Sequence, residues 1–245
     1  MQETTIILIV GLVAGFLGAT VGGGGMVAVP ALMLLGFSPQ SAVAINKVGD
    51  IGAFLSAGAQ YWKSKKIDWK MAIPLAVLTI IGSIIGAQIM VRLETGFLQI
   101  FIGIMILVFL PFFFFSKNIG IKPRKVSRTR KIIGFILYAL LTVEGAIVGA
   151  GGGTVILLLM MYFFGYEIIR GYATNVPAEI FSALVPAIVY SFYGFIDPWP
   201  ALIIFLGMLV GGFVGANTAL KNGSIWVKNL FTVVIIASVI KILFF

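Results

Sequence analysis

The chain has 245 residues, of which 60% are hydrophobic and only 10% are charged, whereas soluble domains carry roughly 25% charged residues. Several runs of about 20 residues carry no charge, which is the length needed to cross a bilayer, so a soluble fold is excluded. The absence of cysteine and histidine excludes disulfides, thiolate chemistry and haem ligation, along with most zinc sites. We therefore expect no metal and no cofactor.

The net charge of +9 does not indicate a nucleic-acid partner, because the basic residues are concentrated in two segments. Four of the 17 Lys and Arg residues lie within residues 63–70, and seven lie within residues 117–131. Such loops are typical of the cytoplasmic side of a membrane protein, where they face anionic lipid. We expect membrane lipids as partners and no nucleic acid. The start of the chain lacks a basic region, so we expect no cleavable signal peptide.

Apolar segments follow one another in two series of five. In each series an apolar run ends in a glycine cluster, and a short apolar segment and a helix with polar residues follow. The first series consists of residues 4–21, 26–35, 40–62, 70–92 and 97–116, and the second of residues 132–148, 154–164, 168–193, 198–220 and 224–245. We predict an all-α polytopic integral membrane protein with a first transmembrane repeat (1–116), a basic cytoplasmic linker (117–131) and a second transmembrane repeat (132–245).

The two series share a residue pattern, which identifies an internal repeat. Residues 18–26, GATVGGGGM, are echoed 127 positions later by residues 145–153, GAIVGAGGG. Past the glycines the offset becomes 129, and the pairs it relates are Asn46 and Asn175, Asp50 and Glu179, and Tyr61 and Tyr190. Tyrosine near a helix end is typical of the membrane interface, where we expect Tyr61 and Tyr190, together with Gln60.

The charges predict that the two repeats are inverted in the membrane. Residues 194–199, which correspond to the basic loop 63–70, contain no Lys or Arg. In the second repeat, Lys221 and Lys228 lie instead near the position that matches the turn at Arg92. Because the basic side is reversed, we expect inverted repeats with both termini outside.

Each glycine cluster is expected to break a helix inside the membrane. Glycine in a helix interior costs roughly 1 kcal/mol relative to alanine, and broken backbone at membrane depth is tolerated only against protein or a watery cavity. A pair of such breaks at matching positions is typical of a transporter substrate site. Simple close packing is the alternative interpretation. Either re-entrant or fully crossing hairpins fit the sequence.

We predict an anion-binding site where the glycine breaks meet the polar helices. Broken helix ends direct N–H groups and a positive dipole end toward an anion, and a nearby lysine adds charge. The predicted substrate-binding residues are Asn46, Lys47, Asn175, Gly22, Gly23, Gly24, Gly25, Gly151, Gly152 and Gly153. The structural alternatives are a salt bridge from Lys47 to Asp50, and capping of broken backbone by the two asparagines.

Three carboxyl groups lie in apolar segments, where an ionised group is costly and indicates function: Asp50, Glu144 and Glu179. Asn46 and Asp50 are four residues apart, as are Asn175 and Glu179, so each pair shares one helix face. We predict that the three carboxyl groups couple transport to an ion, since desolvation favours their neutral form. The alternative for Glu144 is a structural bond to the loose backbone at residues 145–153.

These residues resemble a known family. The doubled Gly-Ala-x-Val-Gly-x-Gly-Gly pattern, the asparagine in the polar helix that follows and the inverted halves resemble the sulfite exporter TauE/SafE family, also called the TSUP family, over residues 11–244. Its members are secondary carriers of sulfite, organosulfonates and related sulfur compounds in the prokaryotic cytoplasmic membrane. Val176 stands where the first repeat has Lys47, so an anion would be held asymmetrically.

The resemblance implies a multi-pass secondary transporter of a small sulfur-containing anion such as sulfite or an organosulfonate, with export as the favoured direction. An anion channel or uniporter on the same scaffold is the first alternative, although the carboxylates favour a carrier. A membrane-embedded enzyme is the second, and the lack of His, Cys and a serine nucleophile motif argues against it. We therefore expect no enzymatic activity, and we leave a homodimer open.

Overall fold

The computed structural model describes residues 2–109 and 120–244, and these residues form helices with no strand. The helices are α1 (Gln2–Val21), α2 (Gly24–Leu34), α3 (Pro39–Lys63), α4 (Trp69–Met90), α5 (Thr95–Phe109), α6 (Arg128–Val148), α7 (Gly152–Tyr162), α8 (Ile168–Phe192) and α9 (Pro198–Phe244). Five of them, α1, α4, α6, α8 and the first part of α9, are long and apolar enough to cross a membrane. The prediction of an all-α polytopic membrane protein is confirmed.

The described helices follow the predicted segments closely, with one difference at the start of α6. The non-helical backbone at Gly223 (φ 82°, ψ 178°) divides α9, at the predicted break between the last two segments. Helix α6 begins at Arg128, inside the segment assigned to the linker, because the Ser127 hydroxyl caps it by accepting a hydrogen bond from the Arg130 N–H at 3.3 Å. The end of the predicted fifth segment, residues 110–116, and residues 117–119 of the linker lie outside the described residues.

The two repeats are interleaved rather than side by side. Helices α1 and α3 pack against α9, and the equivalent helices α6 and α8 pack against α4. Glycines allow the close approach: a Cβ atom on Gly86 would overlap the Val143 carbonyl oxygen, and one on Gly211 would overlap that of Leu12. Each repeat therefore completes the core of the other.

The helix directions are those that inverted repeats require. Tyr61 of α3 packs on Tyr172 of α8 with ring centroids 5.3 Å apart, while Gly58 of α3 faces Val176. Since position numbers fall along α3 as they rise along α8, these equivalent helices run antiparallel. Helix α1 runs parallel to α9, because its Leu12 and Phe16 meet Gly211 and Gly215 in the same order.

The described parts of both basic segments lie at the same end of the molecule. The carboxylate of Asp68, in the loop between α3 and α4, accepts a hydrogen bond from the Tyr166 hydroxyl at 2.8 Å and lies 3.9 Å from the Arg170 guanidinium. Beside them, the Arg124 N–H donates to the Gly165 carbonyl at 2.8 Å. Burial, with the hydrogen bond to Asp68, raises the pKa of Tyr166, so its hydroxyl stays a donor.

We predict that this end is cytoplasmic and that residues 194–199 are external. The chain has no cysteine, so Lys125→Cys and Asp197→Cys, both at exposed positions, each introduce one thiol. An impermeant thiol reagent should label the two single-cysteine proteins from opposite sides of the membrane. Labelling of both from the same side would contradict the inverted topology.

Candidate functional site

The two glycine breaks meet each other in the interior. Gly22, Gly149 and Gly151 have left-handed backbone (φ 74°, 65° and 89°), which side chains other than glycine rarely adopt. A Cβ atom on Gly22 would lie 2.6 Å from the Gly153 carbonyl carbon, and one on Gly25 would overlap the Gly149 carbonyl oxygen. The glycines are therefore required both for the backbone turn and for direct contact between the repeats.

Two short helices begin where the breaks meet. Helices α2 and α7 have 11 residues each, which is about 16 Å, or about half the hydrocarbon thickness. This length favours re-entrant hairpins. The N–H groups of their first turns, at Gly24–Gly25 and at Gly152–Gly153, lack helical partners. Two positive dipole ends therefore converge on one place.

A small cavity of about 50 Å³ lies at this junction. It has room for a few water molecules or a small ion. Its polar lining side chains are Lys47, Asp50, Thr79, Tyr138, Thr142, Glu179 and Ser182, and its lining glycines are Gly18, Gly22, Gly24, Gly25, Gly145, Gly149, Gly151, Gly152 and Gly153. Four predicted residues do not line the cavity: Asn46, Asn175, Gly23 and Glu144. The two asparagines are hydrogen-bonded to carboxylates of the lining, and Glu144 lies beside Gly152 of the lining.

The predicted asparagine–carboxylate pairs are hydrogen-bonded in both repeats. The Asn46 amide donates to the Asp50 carboxylate at 3.0 Å, and the Asn175 amide donates to the Glu179 carboxylate at 2.6 Å. The spacing of four residues places each donor one helical turn before its acceptor. Asn46 also donates to the Gly149 carbonyl at 3.4 Å. It therefore connects Asp50, a predicted coupling residue, to the non-helical backbone that follows α6.

Lys47 is buried, with 4% of its surface exposed. Its ammonium lies 4.0 Å from the Asp50 carboxylate. Glu179 lines the same cavity, and the Glu144 carboxyl group lies beside Gly152 of the lining. Among the described residues that line the cavity, Lys47 is the one with a cationic side chain. Since one ammonium faces three carboxyl groups, full ionisation would leave the site with excess negative charge.

A hydroxyl network at the cavity was not predicted from the sequence. The Tyr138 hydroxyl donates to the Asn175 side-chain oxygen at 2.7 Å and lies 3.1 Å from the Thr79 hydroxyl. The Ser182 hydroxyl donates to the Glu179 carboxylate at 2.9 Å. Tyr138 sits in an apolar run, and the matching position of the first repeat is Gly11. Repetition therefore gave no signal for it.

The interfacial assignment of Tyr61 and Tyr190 is wrong. Both are almost fully buried, at 1% and 0% exposure. The Tyr61 hydroxyl donates to the Ala19 carbonyl at 3.1 Å, and the Tyr190 hydroxyl donates to the Ala146 carbonyl. These carbonyls lie at the ends of α1 and α6, where the breaks remove their helical partners. The tyrosines supply the hydrogen bonds that lipid cannot.

We expect Tyr61→Phe and Tyr190→Phe to destabilise the protein by similar amounts. Each leaves one buried carbonyl unsatisfied, which costs about 1–3 kcal/mol. Thermal unfolding in detergent measures the loss, and Tyr193→Phe, at a half-exposed tyrosine, is the matched control. Equal melting temperatures for all three variants and the parent would contradict the role assigned to the pair.

Spanning helices, antiparallel repeats and a polar cavity between helix breaks are the features of a membrane transporter. A family model described as sulfite exporter TauE/SafE matches residues 7–242. The chain therefore belongs to the sulfite exporter TauE/SafE family and is an integral membrane protein. Within the described residues, no cluster of acidic side chains that could hold a metal ion is found.

Curated relatives carry transporter names. A "probable membrane transporter protein" of Sinorhizobium is 23% identical over 97% of this chain and 91% of its own length. One from Haemophilus influenzae is 21% identical over 92% and 88%, and one from Bacillus subtilis is 26% identical over 86% and 86%. No solved structure is significantly similar to the chain. The relatives agree with a transporter and name no substrate.

Proposed function

We propose that the chain is a secondary transporter, with export as its direction, of a small sulfur-containing anion across the prokaryotic cytoplasmic membrane. Sulfite and short organosulfonates are the substrates we favour. The observation that carries the proposal is the convergence of two helix N-termini and the Lys47 ammonium on one buried cavity. N–H groups, positive dipole ends and a desolvated ammonium together recognise a small oxyanion.

The carboxyl groups around Lys47 supply the coupling in this proposal. An anion entering the cavity would meet Asp50 and Glu179, both hydrogen-bonded within its walls. Repulsion between like charges at this depth is strong, because the surroundings are of low dielectric. Protons or other cations bound with the anion offset that repulsion. Coupled movement of an anion and a cation is secondary transport, whereas an uncoupled pore has no need of the carboxyl groups.

A binding panel on the purified protein tests the proposal. Sulfite, sulfate, thiosulfate and methanesulfonate are titrated by calorimetry, with chloride as the control for unspecific anion effects. We expect saturable binding of at least one sulfur oxyanion, and a clear preference over chloride. If none of the four binds above the level of chloride, the assignment of the cavity as an anion site is wrong.

A further inference from the structure

Glu144 has an environment that the proposed transport cycle does not explain. It lies on the last turn but one of α6, and both oxygens of its carboxyl group are buried without a hydrogen-bond partner in the described part of the chain. A buried carboxylate without a donor is costly. Protonation of the carboxyl group removes this cost, and nearby positive charge offsets it for the ionised form. Two sources of positive charge lie beside Glu144.

The first source is the N-terminus of α7. The Glu144 carboxylate oxygen lies 2.7 Å from where a Cβ atom on Gly152 would be, and Gly152 is the first residue of that helix. The second source is Lys47, which lines the same cavity as Gly152, the residue beside the Glu144 carboxylate. These are the same two features that the proposed site offers to a substrate anion.

The first repeat has no equivalent of this carboxylate. At the offset of the glycine clusters, position 144 corresponds to Leu17. The N-terminus of α2 therefore has no tethered carboxyl group at the matching position, while that of α7 does. The two halves of the junction are unequal because of Glu144 on one side and Lys47 on the other.

We propose that the Glu144 carboxylate, beside the N-terminus of α7, is a built-in competitor of the substrate anion, and that a substrate anion binds at this end of the site only when Glu144 takes up a proton. The inference rests on the proposed function, since it assigns an internal competitor to the same site. It makes anion binding and proton uptake a single linked event. One protonated carboxyl group would balance one bound negative charge beside Lys47.

Other charged groups near the junction bear on this linkage. Lys47 and Asp50 face it from α3 and Glu179 faces it from α8, and the packed helices α4 and α7 contribute no ionisable side chain to the lining. Asp50 and Glu179 each have an asparagine donor. Glu144 differs from them in having none. A variant at Glu144 therefore separates the contribution of Glu144 to proton uptake from the contributions of Asp50 and Glu179.

The test measures proton uptake on binding of thiosulfate and methanesulfonate, whose charge does not change near neutral pH. Calorimetry in two buffers with different ionisation enthalpies gives the number of protons taken up per anion. We expect net uptake for the parent, and affinity that weakens with rising pH toward a limit of about tenfold per pH unit for one linked proton. Glu144→Leu, which copies Leu17, should bind with less uptake and a flatter pH dependence.

Glu144→Gln keeps the side-chain size and checks that loss of charge, not of volume, is responsible. Glu94→Gln, at an exposed turn, is the matched control and should behave as the parent does. If the anions bind to the parent without proton uptake, or if both Glu144 variants keep the pH dependence of the parent, the inference is overturned while the anion site stands. If neither anion binds to the parent or to either variant at any pH, the proposed function fails with it.

Discussion

Replacing Lys47 with methionine is expected to abolish anion binding while the protein stays folded. Methionine keeps the length and apolar stem of the buried side chain but removes its ammonium. Loss of one partner from a buried charge contact costs about 2–5 kcal/mol, which is about 30-fold or more in affinity. Asp50 keeps its hydrogen bond from Asn46 in the variant, so the polar helix retains its local support.

Calorimetry with the sulfur-anion panel measures this loss, and size-exclusion chromatography with thermal unfolding reports on the fold. Lys63→Met is the matched control, because Lys63 is an exposed lysine on the same helix. Normal binding by Lys47→Met would show that Lys47 serves only as a structural partner of Asp50, 4.0 Å away. The anion site proposed at the glycine junction would then be wrong.

Replacing Glu179 with glutamine is expected to separate exchange from accumulation. The amide keeps the shape of the carboxyl group and one acceptor oxygen for the Asn175 amide, but it cannot bind and release a proton. In proteoliposomes, the variant should retain counterflow exchange of labelled anion, because exchange needs no net proton movement. Accumulation driven by an imposed proton gradient should fall below that of the parent, because one of the proposed coupling groups is missing while Glu144 remains.

The parent protein is the reference for that measurement, and Glu94→Gln again controls for loss of one carboxylate elsewhere. Accumulation by Glu179→Gln at the level of the parent would remove Glu179 from the coupling step. If the parent itself responds to neither a proton nor a sodium gradient, the protein is a uniporter or channel. The carboxyl groups of the cavity would then serve structure only.

The general architecture was predictable because short stretches of the sequence indicate the helices and their breaks. Uncharged runs of membrane length predict helices, and glycine clusters predict their breaks. The repeat then indicates that the two breaks occupy equivalent places, and in the structure Gly22 and Gly153 touch. The asparagine–carboxylate pairs were predictable for a similar reason, since a spacing of four residues fixes both members on one helix face.

The rest depended on contacts between distant segments, which no local pattern contains. Tyr138 reaches Asn175 and Thr79 from a third helix, and nothing in its apolar surroundings distinguishes it from a packing residue. Tyr61 and Tyr190 lie near helix ends, as interfacial tyrosines do, yet their hydroxyls reach backbone of α1 and α6. Their repetition was visible in the sequence, but the acceptor that explains it was not.

Counterflow in proteoliposomes tests the central claim most directly. Vesicles that contain the purified protein are loaded with unlabelled sulfite or methanesulfonate and diluted into the same labelled anion at low concentration. A carrier should take up label transiently above the external concentration, and the uptake should saturate and be absent for Lys47→Met. Uptake that rises linearly with concentration and shows no overshoot for either anion would contradict the account.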